Sequence, residues 1–168
     1  TTTSTATGAW SLELPTQFQG TYTISATAKN PALATGQTSS PSASYTYTID
    51  TLAPAAPTVT AAGGGDSVVS GQTGDNTVTG TAEANSIVTI KSGATTLGTT
   101  TADASGNWTY TLTSGNLTTI GQGSSKSVTA TATDAAGNTS APSTAVGFSV
   151  DTLAPAAPTV TAAGGGDS

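Results

Sequence analysis

The sequence predicts an all-β fold made of tandem antiparallel β-sandwich domains, each with about seven strands. Two observations lead to this prediction: one stretch of the chain occurs twice, and apolar side chains alternate with polar ones in several short runs. Alternation with a period of two is typical of strands that turn one face to a core and the other to solvent. A repeated stretch indicates more than one copy of the same unit.

The repeated stretch is IDTLAPAAPTVTAAGGGDS, which begins at Ile49 and recurs from Val150 with Val in the first position. Asp50 and Asp151 are equivalent, which gives a repeat of 101 residues (151 − 50). We therefore expect a window of a longer tandem array. It would hold the C-terminal part of one repeat in 1–50, a complete repeat in 51–151 and the first strand of the next in 152–168.

Seven runs in the complete repeat predict strands, because they combine the alternation with Thr, Val and aromatic residues. In one of them, Trp108, Tyr110 and Leu112 share a face and Thr occupies the other. Turn sequences such as DASGN and DAAGN separate the runs. Seven strands at this spacing favour a sandwich of the immunoglobulin type. We expect them at 56–62, 76–82, 86–91, 95–102, 107–113, 126–133 and 143–151.

The first copy shows the same alternation. TTTSTATGAWSLEL at the N-terminus resembles TTTADASGNWTYTL from Thr99, which pairs Trp10 with Trp108. We expect both tryptophans to be buried in the cores of their own repeats, and no part of the chain shows a sustained helical period. Three runs of the first copy are predicted strands with shared faces: Trp10, Leu12 and Leu14; Tyr22, Ile24 and Ala26; Tyr45, Tyr47 and Ile49.

Composition excludes several classes of function. Three basic residues against nine acidic ones, a net charge of −6, make nucleic acid an unsuitable partner, since phosphates are bound through Lys and Arg. The sequence contains no run of about 18 apolar residues, so it does not predict insertion into a membrane. The absence of His and Cys removes the usual acid–base and thiol groups of enzymes, and we expect no enzyme. A carboxylate pair for glycoside hydrolysis stays formally open.

The few acidic residues of the complete repeat are predicted to gather at one end of the sandwich. Strand direction alternates, so the turns after the second, fourth and sixth strands lie at the end that the linker enters. These turns hold Glu83, Asp103, and Asp134 with Asn138, and Asp50 lies in the linker. Ca²⁺ accepts 6–8 oxygen ligands and would relieve the repulsion between carboxylates. The sequence thus predicts a calcium site of these five residues, or else ordinary turn-forming residues.

The first copy departs from this pattern. Thr5 stands in the place of Asp103, and Asn30 in the place of Asp134, so weak or absent calcium binding is expected there. The linker itself is expected to be stiff, because proline fixes φ and favours an extended segment. Pro54 and Pro57 follow the first Asp, and Pro155 and Pro158 repeat their spacing.

Four segments of the complete repeat carry a resemblance to a known family. GTAEANSIVTI, TTTADASGNWTYTL, SVTATATDAAGNTSAPSTAV and VDTLAPAAPTV resemble the bacterial Ig-like repeats of giant surface adhesins and biofilm-associated proteins. The resemblance covers the whole repeat. It implies secretion to the cell surface, a stalk-like tandem array and, often, calcium between domains.

Two functions follow as expectations. In the first, the chain is a structural spacer of an extracellular bacterial adhesin stalk, at the cell surface or in the biofilm matrix, which extends a distal adhesive region. Its partners are then the neighbouring repeats, and its joints are stiffened by the Pro-rich linkers and Ca²⁺. In the alternative, the repeat belongs to an extracellular fibre or a carbohydrate-binding module, and acts through lateral Thr-rich faces that contact sugar or other copies of the chain.

Overall fold

The computed structural model describes residues 1–14, 18–30 and 37–160. The chain divides into two compact units, Thr1–Leu52 and Ala53–Ser168, and the second holds the complete repeat. The boundary lies two residues beyond the one predicted from the repeat. The predicted first strand of the next repeat is described only as far as residue 160 and forms no strand there. Residues 161–168 lie outside the described residues.

The first unit contains an antiparallel pair of strands, β1 (Gly20–Ile24) and β2 (Tyr45–Ile49). Their register places Gly20 opposite Ile49 and Tyr22 opposite Tyr47. The two tyrosine rings stack, with centroids 5.7 Å apart. Two of the three strands predicted for the first copy are therefore present, since alternating Tyr, Thr and Ile residues form a cross-strand ladder.

The remaining strand predicted for the first copy, the one around Trp10, is wrong, and so is the predicted burial of Trp10. Residues 9–14 are in no strand, and 54% of Trp10 is exposed, as are 49% of Leu12 and 42% of Leu14. The physical reason lies in the partner strands. The complete repeat buries Trp108 under strands from its front half, whereas the first copy in this chain holds the equivalent of the back half alone.

The second unit is a sandwich of two sheets, and the predicted fold class is confirmed. One sheet has the strand order β3-β5-β8 and the other β4-β10-β9-β6-β7. All seven predicted strands are present, with small shifts at their ends. Together with β4, which was not predicted, the strands of the second unit are β3 (Thr58–Ala62), β4 (Val68–Val69), β5 (Thr77–Thr81), β6 (Ile87–Ser92), β7 (Thr95–Thr101), β8 (Asn107–Thr111), β9 (Gly123–Thr133) and β10 (Val146–Val150).

Two elements of the second unit were not predicted. The two-residue strand β4 pairs in parallel with β10, with Val68 opposite Ser149 and Val69 opposite Val150. A helix, α1 (Ser114–Ile120), connects β8 to β9 and begins at a capping box formed by Thr113 and Asn116. Both elements are too short to produce a recognisable period in the sequence.

The helix is held against the sandwich by a small polar cluster. The Tyr110 hydroxyl, a single donor, lies within hydrogen-bond distance of two acceptors, the Leu97 carbonyl (2.7 Å) and Asn116 Oδ1 (3.0 Å). Asn116 Nδ2 donates to the same carbonyl (2.9 Å). Ile120 is buried, and Leu117 packs against the core. The helix therefore closes the end of the sandwich where β8 ends and β9 begins.

The core lies between the sheets, and the prediction that Trp108 is buried is confirmed, since 2% of its surface is exposed. The indole lies close to Gly80 on the neighbouring strand β5, where a side chain would have no room. Its Nε1 is buried without a hydrogen-bond partner. The fully buried aliphatic side chains of the same core cluster include Ile90, Leu112, Val69, Val78, Val88, Val128 and Val150.

Candidate functional site

Three turns meet at one end of the second unit, as the sequence predicted. We call this region the turn end; it comprises the turns 82–86, 102–106 and 134–138. The Ala82 N–H donates to the Gly106 carbonyl (2.8 Å), and the Asn85 N–H to the Ala102 carbonyl (3.1 Å), which joins the first two turns. The third turn lies beside them, because Ile87 pairs with Thr101 on one side and Thr133 on the other.

Asp103 organises the second of these turns through its own carboxylate. Oδ1 accepts hydrogen bonds from the backbone N–H groups of Ser105 and Asn107, both at 2.8 Å. The Gly106 N–H donates to the Asp103 carbonyl (2.9 Å), and Gly106 has a φ of 83°, a left-handed conformation that glycine adopts readily. The sequence DASGN thus encodes one closed turn.

Asp134 builds the same structure in the sequence DAAGN. Its Oδ1 accepts from the N–H groups of Ala136 and Asn138, both at 2.9 Å. Its Oδ2 accepts from the side-chain amide of Asn138 at 2.9 Å. The two turns share their spacing of Asp, Gly and Asn, and this spacing is the sequence signal for the hydrogen bonds they make.

These hydrogen bonds stabilise the charged form of both carboxylates. The backbone N–H of Asn107 makes the largest contribution to lowering the pKa of Asp103 below the ordinary aspartate value. The side-chain amide of Asn138 does the same for the pKa of Asp134. The donors that lower the pKa of each carboxyl thus belong to its own turn.

Glu83 occupies the first of the three turns, and its side chain is exposed. Its carbonyl accepts from the backbone N–H (3.1 Å) and the hydroxyl (2.7 Å) of buried Ser86. Together with Ala55, Ala56, Thr81 and Ala82 it lines a shallow groove. Glu83 therefore holds its turn through its backbone carbonyl, whereas Asp103 and Asp134 hold theirs through their carboxylates.

Asp50 belongs to the first unit, where its Oδ1 accepts from Gln19 Nε2 (2.9 Å) and from the Leu52 N–H (3.1 Å). In the described ranges, no group of three acidic side chains is arranged to hold a metal ion. Oδ1 of each turn aspartate already accepts two N–H bonds, so a cation there would share that oxygen with the turn or bind the other one. The predicted site also needs the linker aspartate of the other unit, and it stays a prediction.

Two glutamines that the sequence analysis did not single out hold the residues that leave each unit. Gln19 hydrogen-bonds Asp50 and Thr51, and Gln122 hydrogen-bonds Thr152. Their signal in the sequence is a Gln-Gly pair whose glycine is the first residue of β1 and again of β9.

Comparison with known families places the complete repeat. The family described as bacterial Ig domain matches residues 72–147, which run from the loop before β5 into β10. We therefore call the second unit, which contains this match, the Ig domain. The match includes two of the sandwich's central strands, β6 and β9, as well as all three turns of the turn end.

Solved structures similar to the chain include the BSP domain of a biofilm-associated protein, with 21% identity and a TM-score of 0.42 over 83% of this chain. Another is a structure described under host cell surface retention of a 1.5-MDa bacterial ice-binding adhesin, with 26% identity and a TM-score of 0.40 over 79% of this chain. The matches cover only 20% and 42% of those chains. No curated protein matches the chain. Across the described ranges, no helix has the length and apolar character needed to cross a membrane.

Proposed function

We propose that this Ig domain is a structural spacer repeat in an extracellular bacterial adhesin stalk, located at the cell surface or in the biofilm matrix. The observation that carries the proposal is the duplicated joint. The same residues, linker and first strand together, precede a domain with its own core and recur directly after it. A chain built this way adds length one domain at a time, and each domain contributes roughly 30–40 Å of reach if strands rise by ~3.3 Å per residue.

The surface of the Ig domain supports a spacer more than a sugar-binding module. Sugar sites use exposed aromatic rings, whereas Trp108 and Phe148 are buried and Tyr110 is half-buried. Some threonine hydroxyls bond to one another, as in Thr58–Thr81 between β3 and β5 (2.7 Å) and Thr133–Thr139 at an isolated bridge at the end of β9 (3.0 Å). These hydroxyls satisfy one another, which supports a structural, non-enzymatic role for the faces.

The linker prolines support the proposed stiffness of the joints. Pro54 and Pro57 are buried, and both belong to the second unit. Because each also has a fixed φ, the segment that enters the Ig domain has little conformational freedom left to lose. We therefore propose that the Pro-rich linkers stiffen the stalk wherever this stretch recurs.

The spacer function predicts the result of a domain exchange. In the adhesin that carries this chain, replacing residues 51–151 with an unrelated Ig domain of equal length should leave cell adhesion unchanged, because reach is preserved. Deleting the same residues is the matched control and should shorten the stalk by roughly 30–40 Å. Adhesion is measured by counting attached cells. Loss of adhesion in the length-matched exchange would instead favour the fibre or carbohydrate-binding alternative.

Calcium is proposed as a second source of joint stiffness, through Asp50, Glu83, Asp103, Asp134 and Asn138. Extracellular sites bind calcium at about 10⁻⁴–10⁻³ M, which at roughly millimolar calcium adds about 0.4–1.4 kcal/mol per site. Titration calorimetry and small-angle scattering on two complete repeats should then show binding heat and a longer maximum dimension with calcium than with chelator.

The calcium proposal has matched variants. Asp134→Ala should remove most of the binding heat, whereas Asp66→Ala should not, because Asp66 lies in the loop after β3, outside the three turns of the turn end. Asn30, the equivalent of Asp134 in the first copy, should also be insensitive to substitution. A flat titration at millimolar calcium, with no change in dimension, would leave the prolines as the proposed source of stiffness.

A further inference from the structure

A glutamine side chain extends the strand ladder of the first unit by one step. Gly20 pairs with Ile49, so the next residues along the ladder are Gln19 and Asp50. Gln19 Oε1 accepts from the Thr51 N–H (2.8 Å), and its Nε2 donates to Asp50 Oδ1 (2.9 Å). The side-chain amide thus does what a backbone amide does within a ladder, and it does so on the residues that begin the linker.

The second unit repeats this arrangement at its own exit. Gly123 pairs with Val150, which places Gln122 beside Asp151 and Thr152. Gln122 Oε1 accepts from the Thr152 N–H (3.1 Å), and its Nε2 hydrogen-bonds the Thr152 hydroxyl. In both units the linker aspartate also accepts from the leucine N–H two residues on, at 3.1 Å for Leu52 and 3.2 Å for Leu153.

We infer that Gln19 and Gln122 are positioning residues of the joint, each holding the start of the linker to the domain that precedes it. This inference rests on the proposed spacer function and names the side chain through which each repeat fixes its exit. The consequence is a short free segment. Gln19 holds Thr51, Asp50 accepts from the Leu52 N–H, and Pro54 is already buried within the second unit. Rotation is therefore confined to the bonds between the Leu52 N–H and Pro54.

The two copies of the arrangement in one chain provide crossed controls. In the full chain, Gln19→Ala should raise the hydrogen-exchange rate of the Thr51 amide about fivefold, the effect of losing one net hydrogen bond, and lower its ¹⁵N order parameter. The Thr152 amide should not change. Gln122→Ala should do the reverse. Gln72→Ala, on an exposed loop of the second unit, should change neither amide.

A residue that only supports the fold would act differently, because its loss would lower protection everywhere. The melting temperature and the exchange of core amides such as Val88 and Val128 should therefore stay unchanged in Gln122→Ala. Unchanged exchange and order at Thr152 in that variant would overturn the inference, as would equal changes in Gln72→Ala. If Gln19→Ala unfolds the smaller first unit, the Gln122 variant still decides. Neither result alters the outcome of the domain exchange, which tests the spacer function separately.

Discussion

Replacing Trp108 with Ala is expected to lower the free energy of unfolding of the Ig domain by about 3–5 kcal/mol, the usual cost of removing a large aromatic side chain from a core. The indole is 2% exposed and fills the space beside Gly80, where neighbouring side chains are already packed. Rearrangement around the cavity is limited because β8, which carries Trp108, is paired with β5, and β5 is paired in turn with β3. The cavity would therefore remain largely open.

The measurement is urea unfolding followed by circular dichroism. Trp10→Ala is the matched control in the same chain, since 54% of that side chain is exposed and its loss should barely change the transition of the Ig domain. Trp108→Phe should cost less than Trp108→Ala, because it keeps a ring and removes an Nε1–H that has no partner. A loss below about 1 kcal/mol in Trp108→Ala would contradict the assigned face of β8.

Adding a single methyl group at Gly80 is expected to be almost as damaging. The new Cβ would lie 2.0 Å from the Thr58 carbonyl oxygen and 2.5 Å from Trp108 Cζ2. Neither neighbour has room to move, because the first is backbone of β3 and the second is a buried ring. Overpacking of this kind costs about 1–3 kcal/mol and occasionally more. Gly80→Ala should lower the free energy of unfolding by an amount at the upper end of this range or above it.

Gly147→Ala provides the control for Gly80→Ala, because it makes the same chemical change in another strand. The nearest atom to its new Cβ is the Lys126 carbonyl oxygen at 3.8 Å, an ordinary contact. This variant should be neutral or slightly stabilising, since Ala lowers the entropy of the unfolded chain. If thermal melts showed equal effects for the two variants, the close approach of β5 to Trp108 would be wrong.

The strands of the Ig domain could be predicted because local pattern and tertiary environment agree there. In β8 and β9 the alternating apolar residues face a core that both sheets help to form, as with Trp108 and Val128. The same pattern around Trp10 failed, because alternation records which face a strand would bury and says nothing about whether a second sheet covers it. Helix α1 was not predicted because its 7 residues are too few to show an apolar period. Its clearer sequence signal is the capping pair, Thr113 and Asn116.

The turn end was predicted in position and only partly in chemistry. Alternating strand direction is enough to bring the turns of Glu83, Asp103 and Asp134 to one end. The orientation of each carboxylate depends on backbone N–H groups that point inward only after the turn has closed, as at Ser105 and Ala136. A count of acidic residues therefore overstates how many carboxylate oxygens are left to ligate a cation.

The parallel pairing of β4 with β10 has a mechanical consequence. These strands lie near the opposite chain ends of the domain and run in the same direction, joined by bonds from Ser149 N–H to the Ser67 carbonyl (2.9 Å) and from Asp151 N–H to the Val69 carbonyl (3.0 Å). A pull on the two ends draws such strands past each other lengthwise. These hydrogen bonds are then loaded together in shear, instead of breaking one after another from one end. The pairing therefore loads β10, the strand through which the chain leaves the domain, in shear; at the other end the chain passes through β3 before it reaches β4.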